Sequence, residues 1–251
     1  MKKTNKAYYG VFVKLLTTPA MYLMAKNAGL DFVFYDNEHS VFNKTDLHDL
    51  MLFGNNIGIP SFVRVNELSK REISQALDSG ATGIMVPMIE TKEQAELLVE
   101  YSKYPPIGKR GYSGGANTNY GPSGGHRENM DNINLSTVTI AQIETRLGVE
   151  NAEDIISVNG IDSVIVGPVD LSISLGNIGN IMHPDELKAI DHVVEICKKH
   201  NKPFGIIGSD AILRHYQKDL NYFVSAIDMN IIRDGFNLAV SKYKDMVNKD
   251  E

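Results

Sequence analysis

The chain has 251 residues, a formal net charge of −6 and one cysteine, Cys197. This length suits one large domain with a sizeable core, and the acidic balance without a basic stripe argues against a nucleic-acid partner. No apolar run approaches a membrane span, and none follows the basic residues 1–6 as it would in a secretory signal. A lone cysteine fits a reducing compartment. We therefore expect a cytoplasmic protein without a membrane partner.

Short apolar runs alternate with longer helical patterns along the whole chain. The predicted strands are 8–15, 31–36, 59–65, 83–87, 138–143, 161–166, 203–207 and 221–226. The predicted helices are 19–27, 45–53, 69–79, 91–103, 147–158, 184–200, 210–218 and 229–247. Eight strand–helix pairs predict an α/β fold, a closed (β/α)8 TIM barrel that forms a single domain over 1–251. An open, doubly wound sheet is the alternative, and it would leave one or two strands unexplained.

Polar side chains follow several of the predicted strands. Residues 36–39, Asp-Asn-Glu-His, end the second strand, and Arg64 ends the third. Gln142 and Glu144 end the fifth, and residues 167–170, Gly-Pro-Val-Asp, follow the sixth. In a barrel these groups converge on the carboxyl end, where active sites lie. Each has a plainer interpretation alone, since Asp170 can cap a turn and His39 can be an ordinary loop histidine.

Glu144 and Asp170 form the most informative pair, because they end neighbouring strands of the predicted sheet. Two like charges buried together are costly without a compensating cation. Carboxylate oxygens suit Mg²⁺ or Mn²⁺, so the pair predicts a divalent-metal site with open coordination positions.

A 2-oxo acid can occupy two open positions of such a metal, which polarises its ketone and makes the neighbouring C–H more acidic. Arg64 is the cation placed to stabilise the resulting enolate, because a guanidinium stays charged. His39 is the predicted proton carrier near neutral pH. Asp36, three residues earlier, is expected to orient the imidazole and to raise its pKa.

Six segments together resemble one known family. They are residues 36–39, 62–64, 83–88, 104–111, 142–145 and 167–172. In this order they are similar to the class II 2-oxo-acid aldolases of the HpcH/HpaI type, which include 2,4-dihydroxyhept-2-ene-1,7-dioate aldolase and 2-dehydro-3-deoxyglucarate aldolase. The similarity runs from about residue 9 to the last helix.

The resemblance implies a TIM barrel of the phosphoenolpyruvate/pyruvate-binding type, assembled as a hexamer (a trimer of dimers that exchange the last helix). It implies reversible cleavage of a 4-hydroxy-2-oxo acid, such as a 2-keto-3-deoxy sugar acid, to pyruvate and an aldehyde. The cleavage would pass through an enolate stabilised by Mg²⁺, Mn²⁺ or Co²⁺. No lysine falls at a matched catalytic position, which argues against a Schiff base.

Motif position also implies a role for each site residue. Glu144 and Asp170 would bind the metal, and Arg64 would hold the pyruvyl oxygen. His39 would take part in proton transfer, with Asp36 as its partner. The substrate-binding set would be Arg64, Gln142 and the backbone of Gly167, Pro168 and Val169, which would receive the pyruvate carboxylate.

The long irregular segment 104–134 is rich in Gly, Asn and Ser. A loop of this length predicts a lid, an oligomer arm or disorder, and a phosphate cradle is a weaker alternative because no P-loop pattern is present. After Gly111 the segment departs from the family, with no basic residue in 112–120, and Asn37 stands where the family usually has Gly. We expect the loop to cover the aldehyde side, which suggests a less anionic acceptor.

Two other functions remain open from the sequence. One is a CoA-thioester lyase of the citrate lyase β-subunit type. CoA binding would favour a basic groove near the site, and the local sequence supplies little beyond Lys109 and Arg110. The other is a catalytically silent binding barrel, which would have no physical need for His39, Arg64, Glu144 and Asp170 together.

Overall fold

The computed structural model describes residues 1–40, 42–121 and 125–247. Eight parallel strands close into a barrel in the order β1 to β8, which confirms the predicted (β/α)8 fold. The strands are β1 Tyr8–Val13, β2 Phe32–Asp36, β3 Ser61–Arg64, β4 Gly83–Val86, β5 Val138–Ile143, β6 Ser163–Val166, β7 Phe204–Ile206 and β8 Tyr222–Ile227.

Helices surround this barrel. They are α1 Ala20–Asn27, α2 Lys44–Ile57, α3 Lys70–Asp78, α4 Lys92–Ser102, α5 His126–Ser136, α6 Arg146–Glu150, α7 Ala152–Ile156, α8 Pro168–Leu175, α9 Pro184–Lys199, α10 Asp210–His215 and α11 Asp228–Val247. The helix predicted over 147–158 is two short helices that meet at Asn151. Residues after β6 form α8, where the sequence predicted only a short connection. None of the helices within the described ranges is long and apolar enough to cross a membrane.

Aromatic side chains fill the inside of the barrel. Phe32 packs on Phe62 with ring centroids 5.1 Å apart, and Phe34 packs on Phe12 at 5.2 Å. Gly83 makes room for this layer, because a Cβ there would lie 2.5 Å from the Phe62 ring. Bulky interior side chains make the barrel a packed core rather than a pore. The rings therefore form a floor beneath the carboxyl end of the strands.

A second apolar cluster lies between the outside of the barrel and its helices, and it holds most of the buried hydrophobic side chains. Cys197 on α9 belongs to this layer, is buried and is a free thiol. Burial raises the pKa of its thiol to about 12, so it is inert packing, as the sequence indicated.

The long segment between α4 and β5 lies at the amino end of the barrel, because it leaves a helix and enters a strand. It contains a 3-10 turn, Ala116–Thr118, and α5, neither of which the sequence predicted. Asn119 exchanges side-chain hydrogen bonds with Asn56 near the end of α2. Arg110 donates to Asp78 at the end of α3 at 2.7 Å. Residues 122–124 of this segment lie outside the described residues.

Candidate active site

A cavity of about 620 Å³ opens at the carboxyl end of the strands. Its walls come from β1, β3, β5 and β8 and from the segments that follow β2, β6 and β7. Six of the predicted site residues line it, namely His39, Arg64, Gln142, Gly167, Val169 and Asp170. The other three, Asp36, Glu144 and Pro168, are absent from the lining; Asp36 is fully buried and Glu144 is 2 % exposed. The structure thus brings six of the nine predicted residues together at one mouth.

Asp36 and Arg64 form a bidentate ion pair on neighbouring strands. They are register partners on β2 and β3, so their side chains leave the sheet at the same height. Arg64 donates from Nε and Nη2 to the two carboxylate oxygens of Asp36, each at 2.8 Å. Burial alone would raise the pKa of Asp36, but hydrogen bonds and charge from Arg64, with the charge of Lys14, hold that pKa below its ordinary value.

The Asp36 carboxylate therefore pairs with Arg64 and not with the imidazole of His39. Its Oδ1 accepts from the backbone N–H of Glu38 at 3.1 Å and of His39 at 3.4 Å, which shapes the loop after β2. The expected contact with the His39 ring is replaced by this pairing. The reason is the register of β2 and β3, which the sequence does not reveal.

Glu38 is the carboxylate nearest the His39 ring. Its Oε2 lies 3.7 Å from His39 Nε2 and 3.0 Å from Arg64 Nη1. Burial raises the pKa of Glu38, although the positive charge of Arg64 opposes this. The His39 side chain is 58 % exposed and lines the cavity, so its ring is accessible to a molecule bound there.

Glu144 is buried and receives its hydrogen bonds from neutral groups. Its Oε1 accepts from the backbone N–H of Met88 at 3.0 Å, and its Oε2 accepts from the Gln142 amide. Burial raises the pKa of Glu144 to about 7, and the negative charge of Asp170 adds to this effect. Met88 holds its N–H in place with φ of +54°, a left-handed conformation that is uncommon outside glycine and is found at functional sites.

Gly167 allows the Glu144 carboxylate to approach the start of α8. A Cβ on Gly167 would overlap Glu144 Oε2 and lie 2.9 Å from Gln142 Nε2. Pro168 occupies the first helical turn and has no N–H, while Val169 is exposed and lines the mouth. The N–H groups of Val169 and Asp170 are therefore the donors of this turn that have no partner among the described residues. Asp170 lies in the same turn, and within the described ranges its carboxylate accepts no capping hydrogen bond. Capping therefore does not explain it.

The residues present fit a hard divalent cation. Glu144 and Asp170 supply carboxylate oxygens, and Gln142 Oε1 is buried with no partner among the described residues. A cation beside Glu144 would favour the ionised form that burial disfavours. Within residues 1–40, 42–121 and 125–247, no group of three or more His, Cys, Asp or Glu side chains is arranged to hold a metal. The site thus offers two protein carboxylates and leaves the remaining positions to solvent or substrate.

The family model for HpcH/HpaI aldolase/citrate lyase matches residues 8–217. The chain belongs to this family. The "hydroxypyruvate/pyruvate aldolase" of Roseobacter denitrificans is 34 % identical over 207 residues, which are 82 % of this chain and 80 % of the relative. The "5-keto-4-deoxy-D-glucarate aldolase" of Escherichia coli K12 is 34 % identical over 220 residues, 86 % and 85 % of the two chains.

The solved HpcH/HpaI aldolase from Desulfitobacterium hafniense DCB-2 superimposes on this chain with a TM-score of 0.89 at 27 % identity. The match covers 95 % of this chain and 93 % of the other. The chain is therefore an enzyme of the aldolase class, and the family is generally dependent on a divalent metal.

The sequence did not predict Lys14 as a residue of the mouth. Its Nζ lies 3.2 Å from Asp36 Oδ2 and its side chain lines the mouth. The predicted first strand ran to Leu15 and so placed Lys14 inside it, whereas β1 ends at Val13 and leaves Lys14 at the strand end. Asp228 was also missed, although an acidic residue at the start of a long helix is a recognisable signal.

Proposed function

We propose that the chain is a divalent-metal-dependent aldolase that reversibly cleaves a 4-hydroxy-2-oxo acid to pyruvate and an aldehyde. The observation that carries the proposal is the charge arrangement at the mouth. Glu144 is buried beside the charge of Asp170, while the Arg64 guanidinium is already paired with Asp36 and lies 3.0 Å from Glu38. A cation is thus needed where the two carboxylates meet.

Glu144 and Asp170 would hold that cation, which is Mg²⁺, Mn²⁺ or Co²⁺ by its oxygen donors and by family. When bound, it supplies a Lewis acid that polarises the ketone of a 2-oxo acid. Gln142 lies beside Glu144 and lines the cavity, so its amide is available to the same bound oxygens.

Arg64 is held rigid by Asp36 and Glu38 and lines the cavity. We infer that its guanidinium stabilises negative charge on the pyruvyl oxygen, because its planar donors are already oriented and need no reorganisation. His39 would move the proton of the 4-hydroxyl group, since its ring is exposed in the mouth. Asp36 positions Arg64 rather than the imidazole, so its proposed role is to hold the Arg64 guanidinium in place.

The backbone after β6 would receive the pyruvate carboxylate. In this turn Pro168 has no N–H, and the Gly167 N–H donates to the Ile143 carbonyl at 3.3 Å. The carboxylate would therefore bind the N–H groups of Val169 and Asp170, which have no partner among the described residues. An anion is favourable there because the helix dipole points its positive end at the cavity. Because Gly167 lacks a Cβ, Glu144 lies close to this turn.

Pyruvate release from 4-hydroxy-2-oxo acids tests the proposal directly. Cleavage with added Mg²⁺, Mn²⁺ or Co²⁺ should be abolished by EDTA and by Glu144→Ala. Cleavage that survives chelation and is inactivated by borohydride with pyruvate would show a lysine enzyme instead.

Hydrogen exchange into pyruvate isolates the first half of the reaction. In D₂O with the metal, the pyruvate methyl group should incorporate deuterium without any aldehyde present. A citryl-CoA cleavage assay run beside it covers the CoA-thioester alternative, and cleavage of the thioester without pyruvate exchange would favour that alternative.

We also propose that the enzyme assembles as a hexamer through α11. This helix leaves the barrel surface and exposes large apolar side chains, among them Phe236, Leu238, Tyr243 and Met246. Exposed apolar area of this kind marks an interaction surface, and exchange of α11 between two subunits would cover it. Sedimentation velocity of the purified protein measures the assembly.

A further inference from the structure

We propose that Lys14 determines the charge preference for the acceptor aldehyde by binding an anionic group at its far end. The inference rests on the proposed aldolase function. It assigns a role to a side chain that lies outside the predicted catalytic set and faces the same mouth.

The backbone at Lys14 is fixed from the opposite end of the chain. Asp228, buried at the start of α11, accepts from the N–H groups of Lys14 at 3.0 Å and of Leu15 and Leu16 at 2.9 Å each. Three charge-assisted hydrogen bonds to one carboxylate leave little freedom at the end of β1. The Lys14 side chain therefore projects into the mouth from a rigid base.

The ammonium group of Lys14 retains binding capacity. Its contact with Asp36 Oδ2 is 3.2 Å, whereas Arg64 already occupies both oxygens of that carboxylate at 2.8 Å. An ammonium has three donors, and Asp36 uses one of them. The Lys14 side chain is 21 % exposed, and the exposed part faces the cavity. A carboxylate in the mouth could thus be bound without breaking the existing ion pair.

The position of Lys14 suits the end of the substrate that lies away from the metal. In the closed order β1 to β8, β1 lies opposite β5, and Glu144 directly follows β5. With the pyruvyl unit at Glu144, Asp170 and α8, the rest of a substrate extends towards β7, β8 and β1. The groups lining that side are neutral apart from Lys14 and Asp210, at the start of α10. Lys14 is the cation there, and Asp210 would oppose an anion placed near α10.

The divergent loop does not set this preference within its own chain. Residues 112–120 belong to the connection at the amino end of the barrel, and none of them lines the mouth. The expectation that this loop covers the aldehyde side is wrong for the single chain, since a segment between a helix and the next strand lies at the other end. Lys14 therefore favours an acidic acceptor, in contrast to the less anionic one suggested by the loop.

The test compares two acceptors of equal length, 4-oxobutanoate and butanal, in condensation with pyruvate and Mg²⁺. We expect the ratio of their kcat/KM values to fall about tenfold or more in Lys14→Met, the loss typical of one charged hydrogen bond. The ratio should be largely retained in Lys14→Arg. Lys109→Met removes an exposed lysine at the other end of the barrel and should leave the ratio unchanged. Using a ratio cancels any common loss that reaches Arg64 through Asp36.

Calorimetry with unreactive analogues gives a second reading. The Mg²⁺-loaded wild type should bind 2-oxoheptanedioate more tightly than 2-oxoheptanoate, and Lys14→Met should remove the difference. An equal loss for both acceptors in Lys14→Met would overturn the proposal and leave Lys14 as a counter-ion of Asp36. Absence of pyruvate exchange and of condensation in the wild type would instead refute the aldolase function itself. If Lys14→Met does not fold, Lys14→Gln replaces it.

Discussion

Removing the charge of Glu144 should change how the metal-free protein responds to pH. The pKa of this carboxyl is about 7 in the folded chain against an ordinary 4.5, because burial disfavours the ionised form. Between these values the folded state holds a proton that the unfolded state has released. Stability therefore falls as pH rises through this window.

The difference corresponds to about 3 kcal/mol in total, of which about 2.5 kcal/mol falls between pH 5 and pH 8. The figure needs little correction for solvent screening, because Glu144 is 2 % exposed. In EDTA, wild type should lose about this much free energy of unfolding relative to Glu144→Gln over that range. The new amide can accept from the Met88 N–H as the carboxylate does, and rotation of the Gln142 amide would supply an acceptor for its NH₂ group.

Urea denaturation at pH 5, 6, 7 and 8 in EDTA measures the difference. Comparison with Glu144→Gln cancels other acidic groups, including Glu186, whose pKa is also raised to about 7 by burial. Saturating Mg²⁺ at pH 8 should restore wild type and leave the variant unchanged. Parallel pH profiles of the two metal-free proteins would refute the reasoning that Glu144 is held near neutrality by burial.

Three further results are expected. Gly167→Ala should lower pyruvate exchange at least tenfold in a folded protein, because the new Cβ would overlap the Glu144 carboxylate. Gly111→Ala, which has open space at the Cβ position, serves as the control. Equal activity of the two variants would contradict the close approach of Glu144 to Gly167. Arg64→Met should cost about 3–5 kcal/mol in urea denaturation, because fully buried Asp36 loses two hydrogen bonds and keeps Lys14 as its neighbouring cation. A cost under about 1 kcal/mol would refute this. Phe236→Asp should reduce the mass of the assembly in sedimentation velocity, because Phe236 is 69 % exposed on α11. The neighbouring change Asn237→Asp should leave the mass unchanged. An unchanged mass for Phe236→Asp would argue against assembly through α11.

The barrel was predictable from sequence because local signals agreed with the fold at each level. Thr91 and Gln94 have capping-box spacing, and in the structure each accepts a hydrogen bond at the start of α4. The strand-end position of the polar residues follows from the alternation of strands and helices. The sequence alone therefore predicted which residues lie at the carboxyl end of the barrel.

Several features depended on tertiary context that the sequence does not carry. Helix α5 is polar and lacks a clear apolar face, so its pattern resembled a loop. Helix α8 is short and follows Gly167 directly, where a proline at its first turn resembled a loop as much as a helix start. The pairing of Asp36 with Arg64 depends on the register of β2 and β3. The position of Lys14 at the mouth depends on where β1 ends, which is Val13 in the structure.

The carboxylate of Asp228 makes the end of β1 a reporter for the attachment of α11. Amide protons of Lys14, Leu15 and Leu16 are bonded to a side chain more than 200 residues away in sequence. Their exchange with solvent requires that this carboxylate move away, so their protection measures how often the start of α11 detaches. Three consecutive amides near the amino terminus thereby give a local, residue-resolved measure of order at the opposite terminus, with or without bound subunits.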